Sequence, residues 1–286
     1  MIRRFIALLI GAALLTATAG CDSQTKEEKP KGSSAVNSEM LLEESPLPTL
    51  YPEQAYAQLK NDTQAWGLKK EKGKAPDIAD ATVRTLDNFG AVYLAKDKGK
   101  TLYLTFDEGY ENGYTPQILD VLKQTQVPAA FFITGDYLDK EPGLVKRMTE
   151  EGHIVGNHTV NHPSMPSVTN NEKLADEITK LDDSYFALTG QHMKYIRPPK
   201  GEYSERTLAI SKDLGYKTVL WSFAYVDWDK DKSQGADHAY NQVMPYLHDG
   251  AILLLHAVSK DNAEALKRII TDAQAQGYTF RSLNEL

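Results

Sequence analysis

From Thr101 onward, short apolar runs alternate with stretches whose apolar residues recur every three or four positions. The runs at 101–106, 129–133, 218–221 and 251–255 read as strands; others begin at Ile154-Val155 and lie near 278–280. Between them, Ile118, Leu119 and Leu122 share one helical face behind the start pair Thr115-Pro116, with Thr115 as cap. Leu144, Val145 and Met148 mark a short helix that stops at Gly152. Leu174, Ile178, Leu181, Tyr185 and Leu188 form the clearest helical stripe, ended by Gly190. Ser204 caps a further helix, and Leu266, Ile269, Ile270 and Ala273 mark the last. Such alternation predicts an α/β fold of parallel strands joined by right-handed crossovers. The first strand runs into Asp107-Glu108-Gly109 instead of a glycine-rich phosphate loop. An irregular (β/α) barrel is therefore expected, with its chemistry at the C-terminal strand ends.

The first hundred residues follow another pattern. Arg3 and Arg4 precede an apolar run at 5–15 that is too short to span a bilayer comfortably, so 1–20 reads as a signal peptide. Ala19-Gly20 directly before Cys21 resemble a bacterial lipoprotein processing site, although Thr18 stands where that site usually carries Leu. The expected product is exported and lipid-anchored through Cys21 on the outer face of the cytoplasmic membrane, or else secreted to the cell wall. Residues 21–48 are polar and read as a disordered tether, and 49–100 as an extension packed on a barrel at 101–286. Cys21 is the only cysteine, which excludes an intramolecular disulfide and any cysteine-based metal site in the body. A net charge of -7 argues against nucleic-acid binding.

Five polar motifs punctuate the strand ends. Asp107 and Glu108 are adjacent carboxylates, which implies either a cation or shared proton between them or a solvated acidic loop. His158 and His162 lie four apart, and Pro163 disfavours helical geometry at the second. The pair is expected on a turn, where with a nearby carboxylate it would suit zinc or a related divalent ion. Arg197 opens Arg197-Pro198-Pro199-Lys200-Gly201, a rigid backbone suited to a bidentate grip on a carboxylate, or a plain surface loop. Asp227-Trp228 is the fourth. Leu254 and His256, two apart on a strand, share a face and should point into the barrel mouth, unless His256 is a core histidine. His153, His192, His238 and His248 read as surface or structural residues.

In this order the motifs resemble the polysaccharide deacetylases (NodB homology, carbohydrate esterase family 4) over residues 101–286. Residues 105–115, 197–207, 221–228 and 256–266 are most similar to the delta-lactam-biosynthetic de-N-acetylases of spore-forming bacteria, which act on N-acetylmuramic acid in peptidoglycan. The resemblance implies a distorted (β/α) barrel and metal-dependent hydrolysis of an N-acetyl group on peptidoglycan strands. It implies Asp107 as general base oriented by Arg197, and His256 as general acid aligned by Asp227. It further implies His158 and His162 as ligands of zinc, with cobalt or manganese as substitutes, and the Lys200 backbone N–H as an oxyanion donor. Trp228 and Leu254 would wall the acetyl pocket. Glu108 departs from the wider family, which carries Asp as a metal ligand there; direct ligation, ligation through water and no ligation all follow from the added methylene. Other substrates consistent with this chemistry are N-acetylglucosamine in peptidoglycan, chitooligosaccharide and acetylxylan. A catalytically inactive cell-wall-binding protein is the reading from another class, and the six intact polar residues argue against it. A zinc peptidase fails for want of a Glu beside the His pair.

Overall fold

The computed structural model describes residues 51–96 and 98–286. The signal peptide, the tether and Cys21 lie outside the described residues. In chain order the elements are β1 (Gln64–Ala65), α1 (Asp80–Asn88), β2 (Thr101–Glu108), α2 (Thr115–Thr125), β3 (Ala129–Ile133) and α3 (Gly135–Lys140). Then come α4 (Pro142–Glu150), β4 (Ile154–Asn157), α5 (Asn171–Thr189), β5 (Tyr195–Ile196), β6 (Glu202–Tyr203) and α6 (Glu205–Asp213). The last are β7 (Lys217–Thr218), α7 (Ala236–Val243), β8 (Ala251–His256), α8 (Lys260–Ala275) and β9 (Thr279–Phe280).

The main sheet runs β7-β5-β4-β3-β2-β8, with β9 alongside β2, and every pair in it is parallel. It curls into a half-barrel. The expected strand at 218–221 contributes only Thr218 to β7; beyond it the chain makes single bridges, Val219 to Val92 and Phe223 to Leu253. Phe223 thereby draws the β7 side toward β8, where the Leu254 N–H donates to the Phe223 carbonyl. The helix expected to be capped by Thr115 starts one residue earlier, with Tyr114 as cap and Thr115 inside the first turn.

Alternation along β2 sets both faces of the sheet. Leu102, Leu104 and Phe106 point outward into the large core beneath α2, α5 and α8, among Ile118, Leu119, Ile178, Leu266 and Ile269. Tyr103 points inward with Ala130, Phe132, Tyr195, Val219 and Ile252. Fully burying each such side chain contributes about 1.5–3 kcal/mol.

The segment before β2 is hydrogen-bonded into the barrel. β1 pairs antiparallel with β6, joining Gln64 to Tyr203 and Ala65 to Glu202. Val92 and Leu94 bridge Val219 and Ala251, and Trp66, Leu86 and Tyr93 make a separate buried cluster with Tyr203, Leu208 and Leu220.

Candidate active site

Strand ends deliver the polar motifs to one cleft of about 1360 Å³, whose lining includes Asp107, His158, His162, Lys200, Asp227, Trp228, Leu254 and His256. Asp107 sits on the inward face of β2, in register with Phe132 of β3 and His256 of β8. His158 follows β4 directly, its N–H donating to the Ile133 carbonyl. The turn that brings His162 back is built from left-handed residues, Thr159 at φ 67° and His162 at φ 56°. Side chains hold that geometry. Asn157 accepts from the Thr159 N–H at 2.9 Å, and Thr159 Oγ1 accepts from the His162 N–H at 3.0 Å. The two imidazole rings meet edge to face, 4.8 Å between centroids.

Arg197 is entirely buried. Its Nη1 donates to Asp107 Oδ1 at 2.7 Å, Nη2 to Thr105 Oγ1 at 2.8 Å, and Nε to the Val219 carbonyl at 3.1 Å. The guanidinium lies 4.1 Å from the Phe132 ring centroid, a cation–π contact that fixes its plane. Burial is the largest influence on Asp107 and pushes its carboxyl upward. The charges of Arg197, His158 and His256, with the Arg197 hydrogen bond, outweigh it and hold the group below the usual carboxylate value.

The Arg197 carbonyl also accepts from His158 Nδ1 at 2.8 Å. A carbonyl only accepts, so Nδ1 carries the proton and Nε2 presents its lone pair to the cleft, 3.6 Å from Asp107 Oδ2. Burial lowers the His158 pKa to about 4 and lowers that of His162 as well. The two adjacent imidazoles supply two donors of a set that would suit zinc or a related divalent cation. Glu108 does not complete it. It lies on the outward face of β2 with Leu104 and Phe106, fully buried, with neither carboxylate oxygen hydrogen-bonded. Burial, then the charges of Glu111 and Asp107, push its carboxyl well above the ordinary value, and it lies near Tyr137. Direct ligation by Glu108 is thus corrected: the strand continues through residue 108, and its two-residue period turns that side chain away from the cleft. Among the described residues no group of three or more His, Cys, Asp or Glu side chains is gathered as a ready-made metal cage.

Across the cleft, His256 Nδ1 donates to Asp227 Oδ1 at 2.7 Å, and the His256 backbone N–H donates to Oδ2 at 2.8 Å. Asn262 at the start of α8 donates to the same Oδ2 at 2.6 Å. Burial alone would lower the His256 pKa. The charge and hydrogen bond of Asp227, with the charge of Asp107, overcome it and raise the imidazole above its ordinary value. Trp228, half exposed, stands edge-on to the His256 ring at 5.5 Å, and Leu254 is buried in the cleft wall.

Lys200 adopts φ 60°, a left-handed conformation rare for a side chain with a Cβ, and Gly201 follows at φ 66°. A Cβ on Gly201 would stand 2.8 Å from the Trp221 ring and 3.1 Å from Trp66 Cβ. Trp66 clamps this turn: its backbone N–H donates to the Gly201 carbonyl at 3.0 Å, and its indole N–H to the Trp221 carbonyl at 2.9 Å. Trp66, Thr105 and Asn262 escaped sequence reasoning. A lone tryptophan in a polar stretch was the one visible signal; Thr105 and Asn262 have none. Of the remaining histidines, His153 accepts from the Ala129 N–H and His248 shares a hydrogen bond with Ser222, both buried, while His192 is exposed.

A polysaccharide deacetylase family model matches residues 95–219. The peptidoglycan-N-acetylmuramic acid deacetylase PdaA of Bacillus subtilis is 46% identical over 228 residues, which cover 79% of this chain and 86% of that protein. A peptidoglycan-N-acetylglucosamine deacetylase of Bacillus cereus is 37% identical over 184 residues, 63% of this chain and 66% of that protein. The solved structure of Bacillus subtilis PdaA, a family 4 carbohydrate esterase, matches with a TM-score of 0.78 and 44% identity, covering 80% of this chain and 98% of the solved one. Joined to the curled parallel sheet and its polar strand ends, these matches show that the chain belongs to the polysaccharide deacetylase family, carbohydrate esterase family 4.

Proposed function

We propose that this protein removes the N-acetyl group from amino sugars of peptidoglycan, N-acetylmuramic acid foremost, with Asp107 as base and His256 as acid. The observation that carries the reading is a pair of titratable groups tuned in opposite directions across one cleft: Asp107, bonded to Arg197 at 2.7 Å, is pulled below its ordinary value, and His256, bonded to Asp227 at 2.7 Å, is pushed above its own. Such a pair suits amide hydrolysis, which needs a proton taken from water and a proton given to the departing amine. Asp107 Oδ1 is occupied by Arg197, so Oδ2 receives the proton of the attacking water. His256, aligned through Nδ1 by Asp227, delivers its Nε2 proton to the amine nitrogen. The Lys200 backbone N–H stabilises the oxyanion, an effect of roughly 3–4 kcal/mol per donor. Trp228 and Leu254 wall the acetyl methyl. A divalent ion, zinc foremost with cobalt or manganese as substitutes, would be held by His158 and His162 and would polarise the acetyl carbonyl. The same reading has the protein exported and lipid-anchored through Cys21 on the outer face of the cytoplasmic membrane, or else secreted to the cell wall; the apolar run at 5–15 and Ala19-Gly20 before Cys21 support it.

The test is acetate release from purified peptidoglycan, with and without stem peptides, followed by mass spectrometry of the muropeptides. Loss of acetyl from muramic residues is expected, and Asp107→Asn should lower the rate by roughly 10²–10⁴-fold. Acetyl lost from glucosamine instead would move the assignment to the substrate of the Bacillus cereus relative. No acetate from any glycan, with or without added zinc, would leave a cell-wall-binding protein.

A further inference from the structure

We propose that Lys70 forms a carboxylate subsite in the cleft, reading anionic substituents of the glycan strand such as the lactyl carboxylate of muramic acid. The inference deepens the reading of the substrate as peptidoglycan and rests on it. Lys70 lies ahead of residues 95–219, the part that the family model matches, and lines the cleft together with Trp66 and Leu68.

Its surroundings are unusual for an ammonium. Nζ stands over three rings, 4.8 Å from the centroid of Tyr246, 5.2 Å from Phe223 and 5.9 Å from Tyr225. The hydrogen-bond acceptor it meets is a neutral amide, Gln242 Oε1, at a long 3.4 Å. Burial pushes the ammonium below the ordinary lysine value, and among the described residues no carboxylate acts to raise it again. The other lysines of the cleft differ. Lys230 pairs with Asp231 at 2.8 Å, Lys232 with Asp229 at 2.8 Å, and Lys260 with Glu264 at 3.7 Å. Lys200 is exposed to solvent. Lys70 is therefore a partly dehydrated cation with donors to spare, since an ammonium carries three and the ring faces accept them only weakly.

Its position also suits a role in substrate selection. The Tyr225 hydroxyl under Lys70 donates to Asn262, which in turn donates to Asp227, so the ring box abuts the His256 side of the cleft. Chitin-like strands carry no carboxylate, whereas each muramic residue freed of its peptide carries one. A cation here favours the second kind of strand without touching the reacting amide.

The experiment compares the full chain with Lys70→Met, which keeps the stem against the rings, and Lys70→Arg, which keeps the charge. Substrates are peptide-free glycan strands with free lactyl carboxylates, and the same strands with those groups amidated. Acetate release should show the Lys70→Met KM raised about tenfold on the free strands, the scale of one charged hydrogen bond, with kcat held within about twofold. On amidated strands Lys70→Met should match the parent, and Lys70→Arg should restore most of the affinity on free strands. Equal effects of Lys70→Met on both substrates, or a lowered melting temperature with KM unchanged on free strands, would overturn the subsite and leave Lys70 as a tie between the extension and the barrel. If the parent releases no acetate from either strand, the deacetylase reading fails separately. Co-sedimentation of parent and Lys70→Met with the two preparations then decides the subsite, binding that depends on both carboxylate and Lys70 upholding it and binding indifferent to either refuting it.

Discussion

Replacing Arg197 with Met removes a guanidinium that joins β2, β3 and the segment after β7. The variant keeps an apolar stem against the Phe132 ring and loses the bonds to Asp107, Thr105 and the Val219 carbonyl. Breaking a buried ion pair by deleting one partner costs about 3–5 kcal/mol, because the other charge stays buried without compensation. For a domain of this size that corresponds to a fall in melting temperature of about 6–20 °C. The partner variant Asp107→Leu should be costly as well, yet the double variant should cost less than the two together by about 2 kcal/mol, since neither orphan charge remains. Urea titrations of the four proteins measure this cycle. The pH dependence follows from the depressed carboxyl of Asp107. A folded pKa below the unfolded one gives stability that is fully present above the unfolded value, near 4, and is lost as pH falls through the folded value. Without Arg197, burial pushes the Asp107 carboxyl upward, so the gap between parent and Arg197→Met should be widest well above that raised value and should close as pH falls, first through the variant's raised value and then through the parent's depressed one. A single-variant loss under about 1 kcal/mol, additivity within about 0.5 kcal/mol, or a gap that widens toward acid would each refute the ion-pair account.

Asp227→Asn removes the charge that outweighs burial at His256, so the alkaline limb of the kcat/KM profile should move to lower pH by about one unit or more. Because the folded His256 pKa is raised, its stabilising contribution is complete below about pH 6.5 and is lost as pH rises through the folded value; melting curves should show Asp227→Asn more damaging at pH 6 than at pH 9. Trp66→Phe deletes the indole bond to the Trp221 carbonyl, and a loss of about 1 kcal/mol in stability with lowered kcat and unchanged KM is expected, since the Lys200 turn loses its clamp. An unchanged kcat would detach Trp66 from that turn. His158 is neutral down to about pH 4, so zinc binding by calorimetry should change little between pH 6 and 8 through this residue, and His158→Gln should abolish it. Zinc binding that survives His158→Gln would place the ion elsewhere.

Much of the site was readable from local pattern. The strand period places Leu254 and His256 on one face, and in the structure both line the cleft. The proline after His162 argues for a turn, and that segment bends through two left-handed residues. Glu108 was read less well, because a strand end cannot be located from sequence to a single residue. Two more residues of β2 turn a candidate ligand into a buried carboxyl facing away from the cleft.

By itself the amino-acid sequence determined the alternation of strands and helices, the acidic, imidazole and guanidinium groups at strand ends, and the rigid backbone after Arg197. Those are short-range matters, settled by period, capping and proline within a few residues. The pairing of Arg197 with Asp107, ninety positions away, was expected from the family resemblance and not from local pattern; only the tertiary structure decided that Asn262 holds Asp227, and that Trp66 and Lys70 belong to the cleft at all. Such partnerships depend on the order of strands in the sheet and on how far it curls. Many side chains packing together set both, and no short stretch of chain encodes either.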